Sequence, residues 1–150
     1  MKILQQIFTE KYVPITYNIE PFTIFRNRMK ITLKIWDVSE QDDQFRRIYY
    51  SDVDLFIVCY AINNKESFNN AQMIWIPEIK FNKPKVPYIL VGTKEDERSM
   101  SDDVVSEKEA IGVAKYLGAK VHILCSAANN YNINYLISSA LDYTCNYNEK

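Results

Sequence analysis

Glycine is scarce in this chain. Only Gly92, Gly112 and Gly118 occur among its 150 residues, about 2% where roughly 7% is usual. A loop that cradles phosphate groups needs glycines, because a residue without a side chain lets backbone N–H groups approach the phosphate. Residues 1–91 contain no glycine, so they offer no glycine-rich phosphate loop.

Histidine and cysteine are also few. The single histidine, His122, excludes sites that need several imidazoles, among them most catalytic zinc sites. The three cysteines, Cys59, Cys125 and Cys145, are odd in number and widely spaced, and the first residues lack the apolar core of a secretory signal. We therefore expect free thiols in a reducing compartment rather than a disulfide framework.

The chain has neither an excess of one charge nor a long apolar run. Eighteen basic and nineteen acidic residues give a net charge of −1, which argues against electrostatic binding of nucleic acid. The longest apolar run, residues 55–62, is too short to cross a bilayer. With 47% hydrophobic residues, the composition is typical of a single globular domain. We expect a soluble, cytoplasmic protein.

Alternating apolar residues predict a β-hairpin over residues 22–38. Ile31 and Leu33 alternate with polar residues, and Asn27-Arg28 is suited to the turn. Continuous apolar runs follow the hairpin, and such runs are typical of parallel strands that are covered on both faces. These runs are residues 55–61, 88–91 and 121–125.

Helical patterns lie between the apolar runs. Residues 66–81 carry apolar side chains near a helical period, although Pro77 predicts an end or a kink. Ser106 opens a capping box, and Gly118 is placed to end the helix that follows. An apolar stripe from residue 133 to residue 141 predicts a last helix. This alternation indicates an α/β fold with a mostly parallel sheet. The predicted loops are residues 95–103 and the polar tail 146–150.

Polar residues directly follow the second apolar run. Gly92-Thr93-Lys94-Glu95-Asp96 begins where that run ends, and open α/β sheets bind ligands at the carboxyl ends of their strands. An Asp carboxylate suits the adjacent N1–H and 2-amino donors of guanine, whereas adenine would leave the charge unpaired. The stem of Lys94 can lie along the base. A polar turn after a strand is the simpler alternative for so short a motif.

Two further polar patches follow predicted strands. Cys125-Ser126-Ala127 ends the third apolar run, where backbone N–H groups can hold the carbonyl oxygen of a base; an ordinary strand-to-loop transition is the alternative. Asp37 and Gln41 follow the hairpin. An Asp at a strand end can orient a magnesium-bound water, and a nearby Gln can position an attacking water. The alternative for this patch is an acidic, solvated loop.

In this order and spacing, the three patches resemble the small GTPase superfamily, and the Rho family in particular. The resemblance covers residues 8–143 and implies a Ras-like P-loop NTPase fold, with flanking helices, that lacks its first strand and its P-loop. The most specific stretch runs over residues 86–96. The stretches that carry the resemblance are Tyr12-Val13-Pro14, Trp36-Asp37 with Glu40-Gln41-Asp42-Asp43, Trp75-Ile76-Pro77-Glu78-Ile79, and Val86-Pro87-Tyr88-Ile89-Leu90-Val91-Gly92-Thr93-Lys94-Glu95-Asp96.

The resemblance assigns a base-binding half of a nucleotide site. By matching position, Thr93, Lys94 and Asp96 resemble the guanine-recognition motif of the family. Ser126 and Ala127 resemble its second base-binding motif. The ligand implied is GTP or GDP, with Mg²⁺ beside the phosphates. This half of the site is mostly intact, although Ala128 stands where the family usually has a lysine.

The phosphate half departs from the family. Asp37 matches the Asp that holds Mg²⁺ through a water, and Gln41 matches the catalytic Gln. Glu40, however, stands where the family has a glycine that offers its N–H to the terminal phosphate, and a carboxylate there repels phosphate. Ile15 occupies the place of the switch threonine, with Thr16 one residue late. The family's Gly-x-x-x-x-Gly-Lys-Ser/Thr loop, which holds phosphate and magnesium, is absent.

The resemblance also implies an organisation of the chain. Residues 1–145 form the Rho-like domain, incomplete at its N-terminus, and residues 146–150 a polar tail without a prenylation box. The absent first strand would leave two apolar sheet edges unpaired. Either another segment fills that gap, or the sequence is an incomplete gene model.

Besides a guanine-nucleoside binder of poor affinity, two functions follow as alternatives. The first is a Rho-like switch that binds GTP and GDP, with impaired phosphate binding and hydrolysis, and acts in signal transduction and cytoskeleton regulation. The second is a pseudo-GTPase, an interaction module that does not cycle nucleotide. In both we expect protein effectors or regulators as partners, no nucleic acid, no membrane anchor of its own, and peripheral membrane association only through partners. Tyr49 and Tyr50 either anchor such partners or pack beneath the loop.

Overall fold

The computed structural model describes residues 17–26, 28–38, 50–100 and 103–148. The chain divides into two compact units, a smaller one over Thr9–Asp52 and a larger one that includes Val53–Lys150. Within the described residues, the smaller unit contains a two-stranded sheet, and the larger one a three-stranded sheet with helices. The larger unit therefore has the α/β organisation that the alternation of strands and helices predicted.

The smaller unit is a β-hairpin. Strands β1 (Tyr17–Arg26) and β2 (Met29–Asp37) pair antiparallel, and Arg28 in the turn has a φ of 66°, as tight hairpin turns require. The predicted hairpin is confirmed, but β1 begins five residues earlier than its apolar pattern indicated. The register shifts between Ile19 and Phe22, and such an irregularity interrupts the alternation that marks a strand in the sequence.

The larger unit contains a parallel sheet of three strands. Strands β3 (Phe56–Ala61), β4 (Tyr88–Thr93) and β5 (His122–Leu124) pair in that order. The central strand β4 is buried along nearly its whole length, which confirms the prediction from its apolar run. The same prediction is wrong for β3, in which buried and exposed residues alternate and Ile57 is 44% exposed.

The first helical segment is irregular in the middle. Helices α1 (Lys65–Asn70) and α2 (Ile76–Asn82) are joined by a π-helical turn over residues 71–75. The side chain of Asn64 caps α1 by accepting a hydrogen bond from the Ser67 N–H. Pro77, which has no N–H to donate, lies in the first turn of α2. The interruption that Pro77 predicted is thus a π-helical turn rather than the end of the helix.

The third helix begins and ends at the residues that the sequence indicated. Helix α3 (Glu107–Leu117) follows Ser106, whose hydroxyl oxygen accepts from the Glu109 N–H at 3.2 Å. Gly118 ends the helix with a φ of 86°, a conformation that costs little without a side chain. The predicted cap and stop are both confirmed.

Two segments that were predicted as loops are helical. Glu95–Met100 forms a 3₁₀ helix, and helix α4 (Ile133–Asn148) continues three residues into the predicted polar tail. Their polar composition indicates exposure, but it does not prevent hydrogen bonds between nearby backbone groups. No helix in the described parts of the chain is both long enough and apolar enough to cross a bilayer.

One core cluster of the larger unit lies between the sheet and α4. Ile89 and Val91 of β4 pack with Ile123 of β5 and Ile133 of α4, and no residue of β3 belongs to this cluster. Ile57 of β3 lies outside this cluster and stays exposed, so β3 is buried on one face only.

Candidate functional site

The candidate site begins where β4 ends. A Cβ on Gly92 would lie 2.7 Å from Leu124 Cδ2 and 2.8 Å from the hydroxyl oxygen of Tyr60, so the strand passes between these two side chains only as glycine. Thr93 follows, and its hydroxyl donates to the carbonyl of Tyr60 at 3.0 Å, while its own carbonyl accepts from the Ile62 N–H at 3.1 Å. Thr93 thus ties the end of β4 to β3.

The chain turns sharply at Lys94. Its φ of 61° lies in the left-handed region, where residues other than glycine are uncommon and costly. The turn lets the Glu95 N–H donate to the carbonyl of Cys125 at 3.1 Å and the Glu97 N–H to the carbonyl of Lys94 at 2.8 Å. These bonds hold the start of the 3₁₀ helix against the end of β5.

Asp96 and Ser126 meet across this edge of the sheet. The Ser126 hydroxyl donates to Oδ1 of Asp96, and Ser126 is fully buried. A carboxylate oxygen has two acceptor positions, so Asp96 keeps Oδ2 and one position on Oδ1 for a ligand. The bond fixes the orientation of the carboxylate and brings together the two motifs that the sequence placed after neighbouring strands.

The loop that follows Ser126 is held by its own polar groups. The Ser126 N–H donates to the carbonyl of Tyr131 at 3.0 Å, the Tyr131 N–H to Oδ1 of Asn129 at 3.1 Å, and the side-chain amide of Asn132 to the carbonyl of Leu124 at 2.9 Å. Asn130 has a φ of 61° and Asn132 one of 56°, which asparagine tolerates better than most residues. Ala127 lies exposed at the start of this loop.

An ion pair braces the Asp96 turn from the other side. The guanidinium of Arg98 donates to both carboxylate oxygens of Glu95, at 2.6 and 2.7 Å, and Arg98 also reaches the carbonyl of Val105 at 3.5 Å. The hydrogen bonds that Arg98 donates to Glu95 raise the pKa of Arg98. On the far side of the 3₁₀ helix, Asn63 donates to Glu97. Its buried Oδ1 accepts no hydrogen bond from the described residues.

Beneath the site, Tyr60 and His122 form a buried hydrogen-bonded pair. The Tyr60 hydroxyl and Nε2 of His122 are 2.9 Å apart, and their rings are stacked with centroids 6.0 Å apart. Burial raises the pKa of Tyr60 and lowers the pKa of His122, so both groups are neutral near pH 7. Cys125 is a free thiol whose pKa burial raises to about 11, which makes it a poor nucleophile.

The described part of the chain does not bring the predicted phosphate-side residues together. Asp37 ends β2 in the smaller unit, and Thr16 and Gln41 lie outside the described residues, as do Ile15 and Glu40. Among the residues that are described, no three His, Cys, Asp or Glu side chains form a group suited to a metal ion. The described residues do not form a magnesium site by themselves.

The structure adds contributors that the sequence patterns did not single out. Arg98 and Asn63 brace the 3₁₀ helix, and the buried Tyr60 carries the carbonyl that holds Thr93. Asn63 and Tyr60 lie 34 and 33 positions from their partners, so no local spacing marks them. Arg98 and Glu95 are three residues apart, a spacing at which helical side chains meet, and this signal could have marked the pair. Tyr50 is buried, only 8% exposed, so it packs inside rather than anchoring a partner; Tyr49 lies outside the described residues.

Comparison with known proteins shows the family to which the chain belongs. The model of the Ras family matches residues 1–145. The GTP-binding protein RHO4 of Eremothecium gossypii is 36% identical over 99% of this chain and 59% of its own length. RHO4 of Saccharomyces cerevisiae is 34% identical over 92% of the chain and 49% of its own length. The GTP-binding protein rho3 of Schizosaccharomyces pombe is 31% identical over 91% of the chain and 73% of its own length.

The parallel sheet and these matches together define a Ras-like domain. The chain belongs to the Ras family, on its Rho branch. It spans about half the length of several of the curated relatives that it matches. The resemblance seen in the sequence is therefore confirmed at the level of the family.

Proposed function

We propose that the larger unit binds the guanine base of GTP and GDP and that the protein works as a Rho-type nucleotide switch. The observation that supports this most directly is the carboxylate of Asp96, oriented by Ser126 at the carboxyl edge of a parallel sheet. Its relatives named above are GTP-binding proteins of the Rho type, which agrees with the binding of guanine by a carboxylate.

The free acceptor positions of Asp96 select the base. N1–H and the 2-amino group of guanine are adjacent donors, and one carboxylate accepts from both. Adenine has no donors at these positions and would leave the charge desolvated and unpaired, which binding sites penalise strongly. The exposed start of the loop at Ala127 places a backbone N–H next to Ser126, where it can donate to the O6 atom of guanine.

Lys94 contributes through its position. Its left-handed backbone conformation projects the side chain from the turn between Thr93 and Asp96. The aliphatic stem can then cover one face of the base while the ammonium group stays in water. Thr93 acts indirectly, because its hydroxyl is bound to the carbonyl of Tyr60 and fixes the end of the strand.

A second function is favoured by two residues of the sequence. Glu40 and Ile15 stand where this family has a glycine and a threonine of the phosphate side, and a carboxylate repels phosphate. A protein with these residues and an intact base half would bind guanine nucleotides weakly, hydrolyse little GTP, and serve as a docking module for effectors or regulators of Rho-type switches.

Titration with fluorescent GDP, with and without magnesium, tests the proposal. We expect binding that unlabelled GDP reverses and ADP does not. Asp96→Ala should abolish base selectivity, while Asp103→Ala should not, because that carboxylate lies beyond the end of the 3₁₀ helix and pairs with Lys65. A folded protein that binds neither nucleotide, or that binds both equally, would overturn it. Rapid GTP turnover would exclude the second function, and base-selective binding without turnover would favour it.

A further inference from the structure

The two ends of the parallel sheet are surrounded by side chains of opposite charge. At the carboxyl ends, the 3₁₀ helix and the first turn of α3 are acidic. At the opposite end, a cavity of about 180 Å³ opens beside the start of β4 and the end of α3. Among the described residues that line it, three are lysines and none is acidic; the lysines are Lys80, Lys85 and Lys120.

We propose that this cavity, the lysine cavity, binds a ligand that carries two or more phosphate groups. Like charges gathered in one concavity repel each other, and a polyanion relieves that repulsion while taking up their N–H donors. The six residues from Tyr88 to Thr93 separate it from the base-binding edge by roughly 17 Å at the usual rise per residue. It is therefore distinct from the nucleotide site, and it does not depend on the proposed function.

Hydrogen bonds hold the wall of the cavity in place. Nζ of Lys80 donates to the carbonyl of Leu117 at 3.0 Å, and the Tyr88 hydroxyl donates to the same carbonyl at 2.5 Å. Lys80 thus caps the C-terminus of α3, where a cation is favourable, and its two other N–H donors remain. The backbone N–H of Lys120 donates to the carbonyl of Tyr88 at 2.9 Å, which fixes the position from which its side chain extends.

Such phosphate groups can come from a soluble polyphosphate or from the headgroup of a phosphorylated lipid. Two large exposed rings stand next to the cavity in the sequence. Phe81 follows Lys80 and is 86% exposed, and Tyr116 precedes Leu117 and is 88% exposed. Exposed aromatic rings favour the interfacial layer of a bilayer. Phe81→Ala should therefore weaken binding to vesicles that carry the lipid headgroup and leave binding of a soluble polyphosphate unchanged.

The test uses two probes on the whole chain. The soluble probe is inositol hexakisphosphate, followed by calorimetry. The membrane probe is phosphatidylcholine vesicles with and without a bisphosphorylated inositol lipid, followed by co-sedimentation. The cavity variant is K80Q/K85Q/K120Q. The control variant, K30Q/K34Q/K108Q, removes the same charge elsewhere. Because Lys80 also caps a helix, K85Q/K120Q serves as the second cavity variant, and thermal unfolding confirms that each variant is folded.

We expect binding in at least one arm, weakened by raised salt. The triple cavity variant should lose about tenfold in affinity, since three ammonium contacts of ordinary surface strength multiply, and the control less than about twofold. The proposal is overturned by absence of binding in both arms or by equal losses in the cavity and control variants.

Discussion

The hydroxyl of Ser126 donates a hydrogen bond to the carboxylate of Asp96. The two residues lie 30 positions apart in the sequence, each just beyond the end of one of two neighbouring parallel strands. The same hydroxyl accepts a hydrogen bond from the Asn129 N–H at 3.4 Å. Removing it therefore frees the orientation of the Asp96 carboxylate and also removes one contact that holds the loop after Ser126. The bond therefore links the packing of the sheet to the orientation of the Asp96 carboxylate, the proposed base-binding group.

Ser126→Ala should weaken guanine-nucleotide binding without preventing folding. A hydrogen bond to a charged group contributes about 1.5–3 kcal/mol, so we expect a loss of at least about tenfold in GDP affinity, measured by titration with a fluorescent analogue. Thr144→Ala, which removes a hydroxyl that bonds only to the Ala140 carbonyl within α4, is the matched control. Equal affinities of the Ser126 variant and the unmodified chain would contradict the role of this bond.

Arg98→Ala should loosen the turn that carries Asp96. The pair with Glu95 is partly exposed, with side chains 33% and 22% accessible, so the expected loss in unfolding free energy is at most about 1 kcal/mol. The nucleotide affinity should fall more clearly than the stability, because Asp96 is the next residue after Glu95. Arg98→Lys keeps the charge but not the two parallel hydrogen bonds, and we expect an intermediate affinity. A variant with lowered stability and unchanged affinity would show that the ion pair is merely structural.

Gly92→Ala and Gly112→Ala should change stability in opposite directions. A Cβ at residue 92 meets Leu124 and the Tyr60 hydroxyl at under 3.0 Å, and overpacking of this kind costs about 1–3 kcal/mol. A Cβ at residue 112, within α3, meets nothing within 4 Å, and replacing a helical glycine by alanine stabilises by about 0.5–1 kcal/mol. Urea unfolding measures both, and the same sign for the two variants would contradict the packing around Gly92.

His122 should make stability depend on pH. Burial lowers its pKa in the folded protein, so the unfolded chain binds the proton more readily. The histidine therefore leaves stability unaffected well above its ordinary pKa of about 6.5 and decreases stability as the pH falls below that value. Urea unfolding at a series of pH values should show this decrease, and His122→Gln, which does not titrate, should remove part of it. Identical pH profiles for the two proteins would contradict the burial of a neutral His122.

Local sequence patterns determined much of this molecule. Ser106 and Gly118 mark both ends of α3 because capping depends on residues within one turn. The apolar run of β4 predicted a doubly covered strand because burial of a central strand demands it. The position of Asp96 after that strand predicted where a ligand-binding carboxylate would lie, since parallel strands expose their carboxyl ends at one edge.

Other features were decided only by the tertiary structure. The face of β3 that contains Ile57 is exposed, and no property of the apolar run itself records whether the folded chain will cover one face of the strand or both. The contacts that orient the site, Asp96 with Ser126, Thr93 with Tyr60 and Asn63 with Glu97, join residues 30 to 34 positions apart. Sequence chemistry specifies which groups are able to pair, but pairing at such separations depends on where the folded sheet and helices bring the chain back together.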